Sequence, residues 1–183
     1  MKELLEVLRV QRHDFMNHLQ IISGMVQLNK SDRVFGYIQE LSRVMSEEGK
    51  IIALALPEAA AALLINRHQA VGRGVELHYN ITTNLAGCQL TGAELAEIIH
   101  ALIKEAIRET VSANCIPGEV FVDINDEGAA YLLQLSFVCS RGKFTKPLEM
   151  LEELCRDCGA GISCSWAAED RMQLRVELPK GKL

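Results

Sequence analysis

The sequence predicts an α+β chain, an N-terminal helical hairpin followed by a domain of mixed helices and strands. Three observations carry that prediction. Apolar residues recur at helical spacing through the first 27 positions, at Leu4, Leu8, Phe15, Leu19, Ile22 and Val26. A second helical pattern, Val34, Ile38, Leu41 and Met45, follows after a turn of a few residues. From Pro57 onward the pattern changes to α-β-α-β-β-α-β-β, which suits an open sheet with helices on one face.

The first helix is expected from Lys2 to about Gln27. Asn29-Lys30-Ser31-Asp32 reads as a turn, with Ser31 or Asp32 placed to cap a second helix running from about Arg33 to Glu48. Gly49 is expected to end it. So short a connection sets the two helices antiparallel. Two helices cannot enclose a core, and the stripe on the first is broad enough for more than one neighbour. Pairing with a second copy, as a four-helix bundle about a two-fold axis, meets that need, and cover by the C-terminal half is the alternative. Residues 1–52 thus form a dimerising hairpin and residues 57–183 a second domain.

In that second domain, Pro57 to Ala70 reads as a helix with proline in its first turn, ended by Gly72 and Gly74. Val75 to Ile81 alternates as a strand. Thr91-Gly92-Ala93-Glu94 has the spacing of a capping box and opens a helix to about Ser112. Val120–Ile124 and Tyr131–Val138 form a hairpin around Asn125-Asp126-Glu127-Gly128. Pro147–Asp157 is a helix, followed by strands at Ile162–Trp166 and Met172–Leu178.

Composition narrows the function classes. The chain has 183 residues, 49% of them apolar, so a globular core is expected. A net charge of −5 and the absence of any Lys/Arg cluster argue against a nucleic-acid surface. Charged residues interrupt the first helix, so no signal peptide is expected; the apolar run Ile51–Ile65 is broken at Pro57-Glu58 and is too short to span a bilayer. A soluble cytoplasmic protein follows as the expectation. Cys155-x-x-Cys158 with Cys164 hints at zinc, yet no fourth ligand stands near, and buried reduced thiols are the expectation.

The most informative segment is Arg12-His13-Asp14-Phe15-Met16-Asn17-His18. On a helical wheel His13 points about 140° away from the centre of the apolar stripe, with Asn17 about 40° from it on the same outward side. His18 lies about 80° from the stripe centre, at the flank of the packing face. A solvent-facing imidazole beside a carboxylate, with an amide one turn on, is a candidate phosphate acceptor. Geometry selects His13 as that acceptor and His18 as a packing residue. His68, His78 and His100 have no acid or cysteine at ligand spacing.

The run Arg12-His13-Asp14-Phe15-Met16-Asn17-His18-Leu19-Gln20 resembles the phosphorylation-site helix of the sporulation initiation phosphotransferase B family, whose motif also occurs in sensor histidine kinases of the citrate and dicarboxylate type. The resemblance is specific over Leu8–Leu28 and collinear but weaker over residues 57–183. It implies a dimeric four-helix bundle followed by a degenerate domain of the histidine-kinase ATPase fold, an α/β sandwich. It further implies transfer between aspartates of response-regulator receiver domains through a phosphohistidine at His13, in sporulation initiation. Asp14 would orient His13, Arg12 would balance charge on the transferred group, and Asn17 would bond the phosphate or place the receiver.

The departures from that pattern matter as much. Ala101 and Glu105 stand where a working kinase carries two asparagines, and Cys139-Ser140-Arg141-Gly142-Lys143 replaces the aspartate loop that reads adenine. Phe144-Thr145-Lys146 leaves almost no room for a lid, and Gly159-Ala160-Gly161 serves a helix-to-strand turn. The resemblance, so modified, implies no nucleotide use and no cofactor bound by this chain, with magnesium brought by the receiver partner. Two other readings stay open: a histidine kinase in which Glu105 substitutes as a metal ligand, and a non-catalytic dimeric regulator.

Overall fold

A computed structural model describes residues 2–113, 117–139, 145–168 and 170–181, with the side chains of residues 2–11, 14 and 145–147 outside the description. The chain divides into two compact units, Met1–Ser46 and Glu47–Leu183. In the first unit, α1 (Lys2–Gln27) and the opening of α2 (Ser31–Ile52) form the hairpin. The turn follows from local chemistry. Asn29 adopts a left-handed φ of 51°, its N–H bonds to Val26 O, and Lys30 N–H reaches back to Met25 O. This is a Schellman closure with asparagine, one of the few non-glycine residues that tolerate the conformation.

Two sequence expectations about α2 need correction. The helix begins at Ser31, two residues early, so Asp32 sits in its first turn, where its charge meets the helix dipole. It also runs through Gly49 to Ile52. A glycine inside a helix costs only about 1 kcal/mol relative to alanine, and continuing the helix carries Ile51 into the core of the second unit at 0% exposure. Burial of that side chain outweighs the glycine. A Cβ at Gly49 would meet nothing within 4 Å. Gly49→Ala is therefore expected to stabilise the protein by about 0.5–1 kcal/mol, read as a raised urea midpoint at unchanged slope.

The second unit is two-layered. Its sheet has the order β1-β2-β3-β5-β4, from β1 (Val75–Ile81), β2 (Gly118–Asp126), β3 (Ala130–Val138), β4 (Gly161–Trp166) and β5 (Arg171–Pro179). Only β1 and β2 run parallel, with Tyr79 opposite Val122. A parallel pair needs a crossover, and α4 (Gly92–Ser112) provides it. The remaining neighbours are antiparallel. With α3 (Pro57–Val71) and α5 (Thr145–Asp157), α4 covers one face. That face contributes Leu77, Tyr79, Val122, Leu135, Phe137, Leu174 and Val176 to the core. The other face carries Glu76, His78, Glu119, Gln134, Gln173 and Arg175, an alternation that follows from the two-residue strand period.

Local signals mark the ends of these elements. Thr91 and Glu94 form the anticipated capping box on α4, each side chain bonding the other's backbone N–H. Gly128 takes a φ of 84° in the β2–β3 hairpin, its N–H donating to Asp126 Oδ1 at 2.9 Å. Gly159, with φ of 74°, closes α5 as a second Schellman turn: its N–H bonds Arg156 O, and Ala160 N–H bonds Cys155 O. The backbone role expected for Gly159 is the one it has.

Candidate functional site

In α1 the rings of His13 and His18 meet different surroundings. His13 is exposed, as is Arg12. Asn17 Nδ2 stands 3.2 Å from His13 Nδ1, one helical turn along. The pair is an i, i+4 neighbour relation, the closest two side chains on a helix surface can come by spacing alone. His18 is half-buried instead, and its Nδ1 lies 2.7 Å from the Tyr37 hydroxyl of α2. That bond ties the two helices of the hairpin together, as expected of a packing histidine. Tyr37, which makes it, was not singled out by the sequence pattern. The Asp14 side chain lies outside the described residues, so its orienting role stays an expectation.

The His13–Asn17 contact has a definite chemical capacity. An amide presents an oxygen and an NH₂, and a half-turn of its terminal torsion exchanges them at nearly the same cost. As placed, Nδ2 faces Nδ1, so the amide donates to the Nδ1 lone pair and the ring proton sits on Nε2. With the amide turned to present Oδ1, Nδ1–H donates to Asn17 and Nε2 keeps its lone pair for attack.

In the second unit, the positions read as a former nucleotide site have other partners. Ala101 and Glu105 are half-buried on α4 and line a cleft of about 300 Å³ with Glu97, His100, Lys104, Met150 and Leu154. One turn on, Arg108 Nη2 is 2.6 Å from Glu105 and 2.9 Å from Glu109. Glu109 is 5% exposed, and its Oε2 accepts from the Cys139 thiol at 3.5 Å. Cys139, at the end of β3, is thus a buried thiol facing a buried acid. The Glu105-x-x-Arg108-Glu109 spacing signals the ion pairs in the sequence; the link to Cys139 has no such signal. Residues 140–144 lie outside the described residues, and α5 already starts at Thr145.

The cysteines divide by exposure. Five are free thiols, with Cys115 outside the described residues. Cys139 and Cys155 are buried and Cys88 and Cys158 half-buried, but Cys164 is exposed, which corrects the expectation of uniform burial. Cys164 lies on β4, an edge strand that among the described residues pairs with β5 alone. Burial, then the neighbouring Cys158, pushes the Cys155 thiol up from 9.0 to about 11, so it holds about a hundredfold less thiolate than an ordinary cysteine. Maleimide labelling of the native protein is expected to modify Cys164 first and Cys155 only on unfolding, as read by peptide mass spectrometry. Among the described residues no group of three or more His, Cys, Asp or Glu side chains is placed to hold a metal, and no helix is long and apolar enough to cross a membrane.

Comparison with known proteins falls into two parts. Residues 1–54 match the family described as the sensor kinase SpoOB-type, alpha-helical domain. Over 58 residues, 32% of this chain, the sequence is 43% identical to sporulation initiation phosphotransferase B of Bacillus subtilis, covering 30% of that protein. Over 138 residues, 73% of the chain, it is 25% identical to the sensor protein CitS of Halalkalibacterium halodurans, covering 26% of it. The chain thus spans less than a third of the length of the curated relatives it matches. Among solved structures, the Acinetobacter baumannii histidine kinase AdeS superposes with a TM-score of 0.54 at 11% identity, covering 93% of this chain and 98% of that one. The catalytic domain of histidine kinase ThkA superposes with a TM-score of 0.56 at 10% identity, covering 68% of this chain and 93% of that one. The fold of the second unit is that of histidine-kinase catalytic domains.

Proposed function

We propose, starting from a chain whose residues 1–54 carry the SpoOB-type helical domain, that this protein is a phosphotransferase passing a phosphoryl group between response-regulator aspartates by way of His13. The observation that carries the reading is the exposed His13 ring with the Asn17 amide 3.2 Å from Nδ1. In the forward step Nε2 attacks the phosphorus of an aspartyl phosphate in line. The N–P bond forms as the P–O bond to the donor carboxyl breaks, and the donor aspartate leaves as a carboxylate. The second step reverses this chemistry on another receiver's aspartate. In this reading the Asn17 amide, turned to present Oδ1, holds the proton on Nδ1 through both steps, a positioning role beside the phosphate bond or receiver placement that the resemblance implies. Exposed Arg12 offers its guanidinium to the charge on the transferred group. Phosphoryl transfer depends mostly on positioning and electrostatics, and the receiver supplies its own magnesium and acidic pocket.

ATP is not the donor in this reading. Ala101 offers no side-chain hydrogen bond, and in the cleft beside it the carboxylates of Glu97 and Glu105 stand beside His100 and Lys104. Arg108, one turn on, is held by Glu105 and Glu109. The N-terminal hairpin works as a homodimer: in one copy Phe15, Leu19 and Val26 of the apolar stripe are 56%, 44% and 57% exposed, and a second hairpin covers them. We assign the relay to sporulation initiation in the cytoplasm on the N-terminal likeness.

The test supplies the full chain with a phosphorylated receiver domain and, separately, with labelled ATP and magnesium. Acid-labile phosphate from the receiver, passed on to a second receiver, with none from ATP, is the expected result. Labelling from ATP establishes a kinase instead, and labelling from neither source leaves a non-catalytic regulator.

A further inference from the structure

Helices α3 and α4 lie side by side, and their facing ridges bound a cavity of about 240 Å³ wholly within the second unit. Asn66 and Gln69 of α3, with Arg73 just past its end, face His100, Lys104 and Ile107 of α4. Asn66 and Ile107 are buried and form the floor; Gln69, Arg73, His100 and Lys104 are exposed and form the rim.

Asn66 is 1% exposed. Its Nδ2 donates to Ala62 O at 2.7 Å, and this bond fixes the amide, because a carbonyl oxygen can only accept. The group left over is therefore Oδ1, buried and without a hydrogen-bond partner among the described residues. A buried acceptor of this kind calls for a donor. Around it stand two cations and an imidazole. Neither Arg73 nor Lys104 has a carboxylate within ion-pair distance among the described residues, while Glu105 and Glu109 on the same helix are taken by Arg108.

We propose that this cavity is a binding site for a small phosphate, either inorganic phosphate or a phosphate monoester. The rim selects for negative charge, and guanidinium and ammonium groups suit phosphate oxygens. The floor selects further. A fully ionised oxyanion brings acceptors alone and leaves Asn66 Oδ1 unsatisfied, whereas a phosphate retaining one P–OH donates to it while its other oxygens face Arg73 and Lys104. The volume lies below the roughly 300–1,000 Å³ of sites for drug-sized ligands, which fits a phosphate with a short substituent.

The test is calorimetric titration of the full chain at about pH 6, where phosphate keeps a proton and sulfate, of the same shape, has none. Inorganic phosphate or glycerol phosphate is expected to saturate one site at or below about 1 mM, and sulfate to bind at least tenfold more weakly; whichever ester state binds tighter identifies the source. Arg73→Gln with Lys104→Gln is expected to weaken phosphate at least tenfold. Asn66→Leu is expected to bring phosphate and sulfate to equal affinity. If that variant does not fold, the phosphate-to-sulfate ratio of the unaltered chain decides alone. Equal binding of the two anions reduces the site to surface charge attraction, and no saturation at about 10 mM leaves a cavity filled by water; either result overturns the proposal.

Discussion

His13→Gln is expected to abolish acid-labile phosphate on the chain when a phosphorylated receiver is supplied, while His18→Gln leaves labelling in place. Glutamine has no lone pair of imidazole basicity, so the N–P bond cannot form. Because His13 is exposed, its replacement should move stability by no more than about 0.5 kcal/mol, and unfolding cannot account for the loss. His18→Gln removes a hydrogen bond to Tyr37 and should lower stability by about 0.5–1.5 kcal/mol without touching the chemistry. Asn17 separates positioning from nucleophilicity. Asn17→Leu loses the Nδ1 partner and should slow transfer on the order of a hundredfold, whereas Asn17→Asp keeps an acceptor for Nδ1–H and should recover most of the rate. The opposite pattern, with His18→Gln silent and His13→Gln active, moves the acceptor to the wrong side of the helix and ends this account.

The second large effect concerns assembly. Leu19→Glu combined with Val26→Glu is expected to turn a dimer into a monomer at micromolar concentration. The two side chains are 44% and 57% exposed in one copy, so roughly half of each remains to be covered by a partner. At about 1.5–3 kcal/mol for full burial of such a side chain, that is about 1 kcal/mol each. A two-fold interface counts both twice. The resulting loss of about 4 kcal/mol weakens association on the order of a thousandfold, and four carboxylates brought into one seam add repulsion. Sedimentation velocity reads the change, and the thermal transition of the second unit serves as the control. An unaltered chain that sediments as a monomer at tens of micromolar removes the bundle from the mechanism.

Both predictions rest on features with unequal legibility in the sequence. The outward direction of His13 and its nearness to Asn17 are consequences of helical period and i, i+4 spacing, and the chain between positions 12 and 20 contains all the information needed. The same holds for the capping box at Thr91 and Glu94 and for the glycine turns at Gly128 and Gly159, each decided within a few residues. Gly49 shows where local reasoning fails. Read in its neighbourhood it is a stop signal, and only the burial of Ile51 two residues later reveals why the helix continues.

In the second unit the identities Ala101, Glu105 and Cys139 set the chain apart from the residue pattern expected there, but did not say what surrounds those positions. The Arg108 bridge to Glu105 and Glu109 is local, but the thiol of Cys139 on buried Glu109 joins residues thirty positions apart. The unmatched Oδ1 of Asn66 is likewise invisible in sequence, because a polar residue on a helix reads as solvated until a neighbouring helix covers it.

What the sequence determined by itself was every element, the outward-facing His13 and the likeness of its helix, since these follow from periods and contacts no longer than one or two helical turns. Tertiary structure alone decided the strand order, the parallel β1–β2 pair, the reach of α2 and the surroundings of Ala101, Glu105 and Cys139. Those outcomes depend on which distant side chains share a desolvated space, where burial worth a few kcal/mol overrides a local preference worth about one.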